Sequence, residues 1–209
     1  MRSILFDVDG VVIHSLFHQD PARQRVWSQH IEMDFGISRD SFNEFFRLNY
    51  AEIVTGKTSI VTAMDAFLPN INAGHINSLD LLEYWFKNDT PVNRQLLDGI
   101  KKLKQKADVK IYLVTNQEHL RAFYLWHDLK LSHIFDDMFY AARLGVAKPD
   151  PAFFQKVDQL LGLQSEKPIF FDDGQKNVDA GNQQGWESNL FVTEKDFFEH
   201  PWVKKHLER

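Results

Sequence analysis

The feature that most constrains this chain is its opening stretch, Ser3-Ile4-Leu5-Phe6-Asp7-Val8-Asp9-Gly10-Val11-Val12. Apolar residues without alternation describe a strand buried on both faces, and such strands belong to parallel sheets covered by helices. Two carboxylates one residue apart, then a glycine, follow at its end. In open α/β sheets ligands bind in the crevice outside the carboxyl ends of the strands, so an acidic pair there is placed for chemistry. Gly10 marks a turn that lets Asp7 and Asp9 converge on one point from different directions. Two nearby anions repel unless a cation neutralises them, and all-oxygen ligation favours Mg²⁺. Taken alone, the stretch also fits a solvated loop carrying two acids, and the rest of the chain must decide.

After this strand, apolar residues recur at helical spacing: Val26, Trp27, His30 and Ile31; Phe42, Phe45 and Phe46; Ile60, Ala63, Met64, Phe67 and Leu68; Leu79, Leu82, Tyr84, Trp85 and Phe86. Gly36, Gly56, Pro69-Asn70 and Gly74 punctuate them. About 75 residues without a convincing strand is far longer than an ordinary βα connection. The expected organisation is therefore a core of residues 1–13 and 90–209 with an inserted helical domain at 14–89.

From Pro91 helix and strand alternate. Leu96, Ile100, Leu103 and Ala107 mark an amphipathic helix, and Val109 to Val114 a buried strand ending in Thr115-Asn116-Gln117. A helix from His119 to Asp128, a short strand within Ile134 to Ala141, and a turn ending in Lys148-Pro149 follow. Phe153, Val157, Leu160 and Leu161 then mark a helix. Pro168 to Phe171 reads as a third strand, ending in Asp172-Asp173-Gly174. A helix around Val178 to Gln184 and a final strand from Asn189 to Thr193 close the series. This βαβα succession predicts an α/β fold with a doubly wound parallel sheet.

Composition narrows the function. A net charge of −5 gives no electrostatic reason to expect a nucleic-acid polymer or an anionic membrane as partner. There is no cysteine, which excludes disulfides, thiolate catalysis and thiolate metal sites. No signal-peptide pattern opens the chain, and no apolar run approaches the roughly 18 residues of a membrane span. A cytoplasmic protein is expected.

Three predicted strand ends carry polar residues: Asp7 and Asp9, Thr115 and Asn116, Asp172 and Asp173. Lys148 stands on a loop before a helix. Each has a bland reading as turn, cap or surface charge, but all fall at one edge of one sheet. Together they describe phosphoryl transfer through an aspartate. A carboxylate can form an aspartyl-phosphate, while a hydroxyl, an amide and an ammonium hold the phosphoryl oxygens. The second carboxylate of the first pair can protonate the leaving oxygen and later activate water.

The set Asp7-Val8-Asp9-Gly10, Val114-Thr115-Asn116, Lys148-Pro149 and Phe171-Asp172-Asp173 resembles the haloacid dehalogenase superfamily of phosphohydrolases, with four motifs in order across nearly the whole chain. The resemblance implies a Rossmann-like core with a helical cap inserted after the first motif. It implies Asp7 as nucleophile, Asp9 as general acid/base, and Gly10, Thr115, Asn116 and Lys148 in the phosphate site. It also implies Mg²⁺ on Asp7, the Asp9 carbonyl, Asp172 and Asp173, with Asp173 a direct ligand and Asp172 direct or through water. Phe170 to Val178 and Gly181 to Gly185 resemble a branch that includes bacterial sugar-phosphate phosphatases and the phosphatase domain of some epoxide hydrolases. Gly174 departs from it, since relatives often carry serine or asparagine there. Asn177 fits either support of the metal shell or a helix cap.

The expected function is a Mg²⁺-dependent phosphatase acting on small phosphomonoesters, such as sugar or nucleotide phosphates. Asp9 favours an ester over a carbon–halogen bond, because true dehalogenases are expected to lack a second aspartate. Two alternatives share the scaffold: a phosphomutase of the β-phosphoglucomutase type, and a non-enzymatic phospho-aspartate signalling domain. A closing cap suits a small-molecule substrate. His14, His18, Arg47, Tyr50 and Lys57 are candidate cap contacts, although Arg47 and Lys57 also fit a solvated surface. Phe42, Phe45, Phe46, Trp85 and Phe86 read as the cap's own core.

Overall fold

A computed structural model describes residues 2–16, 23–24 and 27–208. Val26 and His18 lie outside the described residues. Five strands form one sheet: β1 (Arg2–Phe6), β2 (Val109–Thr115), β3 (Asp137–Tyr140), β4 (Ile169–Asp172) and β5 (Glu187–Leu190). Their order is β3-β2-β1-β4-β5, and every pairing is parallel. β1 lies at the centre and all five of its residues are buried: Ile4, Leu5 and Phe6 as apolar side chains, Arg2 and Ser3 because they hydrogen-bond to the Lys167 carbonyl and the Gln164 side chain.

Successive side chains of a strand point to opposite faces, and two apolar layers follow from that period. Ile4 and Phe6 pack with Ile111, Leu113, Ile169 and Phe171 on one face; Leu5 packs with Val114 and Phe170 on the other. The first face is covered by α5 (Arg94–Lys106), α6 (His119–Phe123, continued by a π-helical turn to Asp128), α10 (Glu194–Phe198) and α11 (Pro201–Leu207). The second is covered by α7 (Ala141–Leu144), α8 (Pro151–Leu161) and α9 (Gln175–Gln183). The sheet is thus doubly wound.

Between β1 and β2 stand α1 (Ile31–Phe35), α2 (Arg39–Val54), α3 (Ile60–Phe67) and α4 (Ser78–Asn88), around an apolar cluster of their own that includes Ile31, Phe42, Phe45, Met64, Leu82 and Phe86. The chain leaves β1 and returns to α5 along adjacent paths. The His14 N–H donates to the Pro91 carbonyl at 3.0 Å, the Asn93 N–H to the Val12 carbonyl at 2.9 Å, and Ile13 bridges Val92 antiparallel.

The short strand expected within Ile134 to Ala141 is β3, Asp137–Tyr140; ahead of it Leu131–His133 forms a 3₁₀ turn and Ile134 and Phe135 pack into the core. One predicted strand is shifted. β5 ends at Leu190 and does not run to Thr193. The Val192 and Thr193 N–H groups donate to the Asp196 carboxylate at 2.7 and 2.8 Å, the latter within the capping box that starts α10. Among the described residues no helix is long and apolar enough to cross a membrane.

Candidate active site

Because every pairing is parallel, the carboxyl ends of β1, β2 and β4 open on one edge. Asp7, Asp9, Gly10, Thr115, Asn116 and Asp173 line a cavity of about 310 Å³ there. Lys148, on the loop between α7 and α8, is the buried cation beneath it. Its ammonium donates to the Val114 carbonyl at 2.8 Å and to Asp172 Oδ2 at 2.5 Å, and lies 3.1 Å from Asp7 Oδ1. Burial works against the Lys148 charge, yet the Asp172 and Asp7 carboxylates outweigh it and hold its pKa above the ordinary value.

The acids outnumber that cation. One carboxylate oxygen each from Asp7, Asp172 and Asp173 lie within 4.8 Å of one another. Asp7 is pushed well above the usual carboxylate range, first by burial and then by the charges of Asp172, Asp173 and Asp9, with Lys148 offsetting part of this. Asp173 is pushed up to about 6, first by loss of water and then by Asp172. Such a cluster, short of positive charge and made only of oxygen donors, has the chemistry of a hard divalent-cation site.

Local backbone features hold these groups. Gly10 turns at φ +85°, and a Cβ there would fall 2.0 Å from Asp173 Oδ2. Asp172 Oδ1 accepts the Gly174 N–H at 2.8 Å and the Asn177 amide at 2.9 Å, which fixes its carboxyl group. Asn116 clasps the Lys148 backbone: its amide donates to the Lys148 carbonyl at 2.9 Å and its oxygen accepts the Lys148 N–H at 2.8 Å. Its side chain therefore fixes the lysine loop. Thr115 is buried at the cavity wall.

A second cavity of about 360 Å³ runs from Asp9 into the insertion. Phe46 and Trp85 line it while also packing in the insertion's apolar cluster, where the sequence placed all five aromatics. Phe42, Phe45 and Phe86 are buried, whereas Phe46 and Trp85 pack on that cluster with one side turned to the cavity. Tyr50 lines both cavities, and burial followed by the charges of Asp9 and Asp7 raises its pKa. Arg47 and Lys57 instead sit at the surface, paired with Glu44 and Glu52. His14 is not among the residues lining either cavity.

Three residues at this site were not anticipated. Gln117 donates to Asp9 Oδ2, and Arg121 lies 3.6 Å from Asp9 Oδ1 and 3.0 Å from Asp89 Oδ2. The available signal was a single arginine amid Leu120, Ala122, Phe123 and Leu125 on a helix that must bury an apolar face.

A family model described as haloacid dehalogenase-like hydrolase matches residues 1–185. Among solved structures, one described as a predicted HAD-like family hydrolase, from Porphyromonas gingivalis, has a TM-score of 0.74 at 18% identity, covering 100% of this chain and 98% of its own. A HAD family enzyme from Bacteroides thetaiotaomicron in complex with magnesium and inorganic phosphate has a TM-score of 0.70 at 19% identity, covering 91% of this chain and 93% of its own. An L-2-haloacid dehalogenase from Xanthobacter autotrophicus with chloropropionic acid covalently bound has a TM-score of 0.62 at 12% identity, covering 98% and 86%. At these identities the likeness is one of fold.

Proposed function

The chain belongs to the haloacid dehalogenase-like hydrolase family, and from that premise we propose that it is a Mg²⁺-dependent phosphatase of small phosphomonoesters working through an aspartyl-phosphate on Asp7. The observation that carries this reading is Asp9, a second carboxylate facing the same cavity as Asp7. An alkoxide leaving group needs a proton and a halide does not, so a positioned acid beside the nucleophile suits an ester.

In this reading a carboxylate oxygen of Asp7 bonds to phosphorus as the ester P–O bond breaks, and Asp9 gives its proton to the leaving oxygen. Asp9 then takes a proton from the water that attacks the aspartyl-phosphate, which frees phosphate and restores Asp7. Thr115 and the Lys148 ammonium hold phosphoryl oxygens, and Asn116 supports Lys148 through its backbone. Asp7, Asp172 and Asp173, with the Asp9 carbonyl, would hold Mg²⁺, which supplies the positive charge that three clustered acids and a phosphate require. Residues 14–89 act as a cap on a core of 1–13 and 90–209, enclosing a small substrate and excluding water. A cytoplasmic setting with small-molecule partners is part of the same proposal.

The test is phosphate release from a panel of sugar, nucleotide and simple phosphomonoesters, with Mg²⁺, with EDTA, and with Asp7→Asn. Metal-dependent release that the variant lacks supports the reading. Halide release from a 2-haloacid without phosphate release from any ester would replace it with a dehalogenase. Isomerised sugar phosphate without free phosphate would identify a mutase, and a lasting phosphoprotein without turnover a signalling domain.

A further inference from the structure

Asp9 meets a hydrogen-bond donor and a cation that the phosphate site does not use. Gln117 Nε2 donates to Asp9 Oδ2 at 2.5 Å, and Arg121 Nη2 lies 3.6 Å from Oδ1. Both are buried, Gln117 at 4% exposure and Arg121 at 1%. Both are also held in place by other parts of the fold. The Gln117 carbonyl accepts the Ala142 N–H at 3.1 Å, directly after the clasp that Asn116 makes on Lys148. Arg121 lies in the first turn of α6, which Glu118 caps. It donates to the Asp89 carbonyl at 3.0 Å, pairs with Asp89 Oδ2 at 3.0 Å, and lies 5.1 Å from the Trp85 ring. Holding rotamer-rich side chains in this way costs conformational entropy before any substrate arrives. A supporting shell of this kind is how a reactive side chain is kept in productive geometry.

We propose that Gln117 is a positioning residue for Asp9, fixing the rotation of its carboxyl group, with Arg121 as its charged backing. The proposal rests on the phosphatase reading above. When the ester P–O bond breaks, its electron pair goes to the leaving oxygen, which takes the Asp9 proton, and Asp9 becomes a carboxylate. The Gln117 donor and the Arg121 charge both bind that anion more strongly than the neutral acid, so their contribution grows toward the transition state. It must therefore depend on how much the leaving oxygen needs a proton. A fault in folding or substrate binding would carry no such dependence.

The experiment compares Gln117→Met, which keeps side-chain length and loses the donor, with the wild type on benzyl phosphate and p-nitrophenyl phosphate in Mg²⁺. These esters are similar in shape, but p-nitrophenolate departs without protonation and benzyl alkoxide does not. The quantity read is kcat/KM, which covers steps only through departure of the alcohol. The ratio of kcat/KM for the p-nitrophenyl ester over the benzyl ester is expected to rise roughly tenfold or more in the variant, a part of the roughly 10²–10⁴-fold that a positioned acid supplies. An unchanged ratio, whether through equal losses or through none, overturns the proposal. Should Gln117→Met fail to fold by circular dichroism, Gln117→Glu keeps the shape, replaces the donor with an acceptor, and must raise the same ratio. A wild type inert toward both esters fails at the phosphatase reading and takes the proposal with it; an active wild type with an unchanged variant ratio fails at Gln117 alone.

Discussion

A Cβ on Gly10 would fall 2.0 Å from Asp173 Oδ2, at a backbone φ of +85°. Any side chain there must displace the carboxylate that the metal proposal uses, and an L-residue also loses about 1–2 kcal/mol in a left-handed conformation. Gly10→Ala is expected to weaken Mg²⁺ binding by about tenfold or more, equivalent to about 1.4 kcal/mol. The check is a Mg²⁺ titration followed by thermal unfolding, and a wild-type response would refute the expectation. Asp9→Asn tests the next position. It is expected to lower phosphate release by roughly 10²–10⁴-fold, the usual contribution of general acid–base catalysis, while leaving circular dichroism unchanged; wild-type turnover would remove Asp9 from the chemistry. Which residues meet at this edge was legible because Asp7, Thr115 and Asp172 end or follow predicted strands. Gln117 was not, because it reads as one more turn residue and its partner is 108 positions away. Arg121 was hidden inside an apolar helical run; its burial is accounted for by Asp89, Asp9 and the Trp85 ring, all distant in sequence.

The elements that return the chain to the core depend on one side chain. Asn93 accepts the Leu96 N–H at 3.1 Å, capping α5, and donates to the Val11 carbonyl at 3.2 Å, on the segment where the insertion begins. Asn93→Ala removes a cap and leaves a buried carbonyl short of a donor, for an expected loss of about 2 kcal/mol. Urea denaturation would measure it, and a loss below about 0.5 kcal/mol, the level of an ordinary surface change, would show that the two paths do not rely on this bridge. β1 and β4 are readable as elements because Ile4-Leu5-Phe6 and Ile169-Phe170-Phe171 are apolar runs buried on both faces, and β2 because Val109, Ile111 and Leu113 alternate with part-exposed Lys110 and Tyr112 before the strand becomes wholly buried at Leu113 to Thr115. β5 was misplaced because it is an edge strand of Glu-Ser-Asn-Leu, partly exposed and without that signature. Of the more apolar Phe191-Val192 beside it, Phe191 still donates its N–H to the Asp172 carbonyl at 2.9 Å, while the Val192 and Thr193 N–H groups go to Asp196 at the approach to α10. In the insertion, helical spacing located the aromatic stripe. It could not divide Phe45, wholly buried, from Phe46, at the cavity wall, because neighbouring positions differ only by what faces the core.

The whole sheet brings its acids to one edge, and that concentration sets how the molecule responds to pH. In the metal-free protein Asp173 titrates at about 6 and Asp7 well above the usual range, whereas the unfolded chain ionises its aspartates near about 3.9. The folded state therefore keeps protons that the unfolded state has released. By linkage, the stability Asp173 contributes is present at low pH and lost as pH rises from about 4 through about 6, and Asp7, raised well above the usual range, acts in the same direction. Mg²⁺ requires the ionised carboxylates, so it competes with those protons and binds more tightly as they leave. His200 acts in the opposite sense: burial lowers its pKa despite Glu187, so its contribution is present above its unfolded value and lost as pH falls. His200 lies near Phe171 and Glu187, away from the carboxylate cluster, and its effect is the same with metal or with EDTA. The difference in unfolding temperature between saturating Mg²⁺ and EDTA isolates the acidic edge. That difference is expected to grow between about pH 5 and about pH 7.5, most steeply near 6, and to flatten in Asp173→Asn. A difference independent of pH in the wild type would mean that Mg²⁺ does not bind through this cluster, and the metal assignment would fall with it.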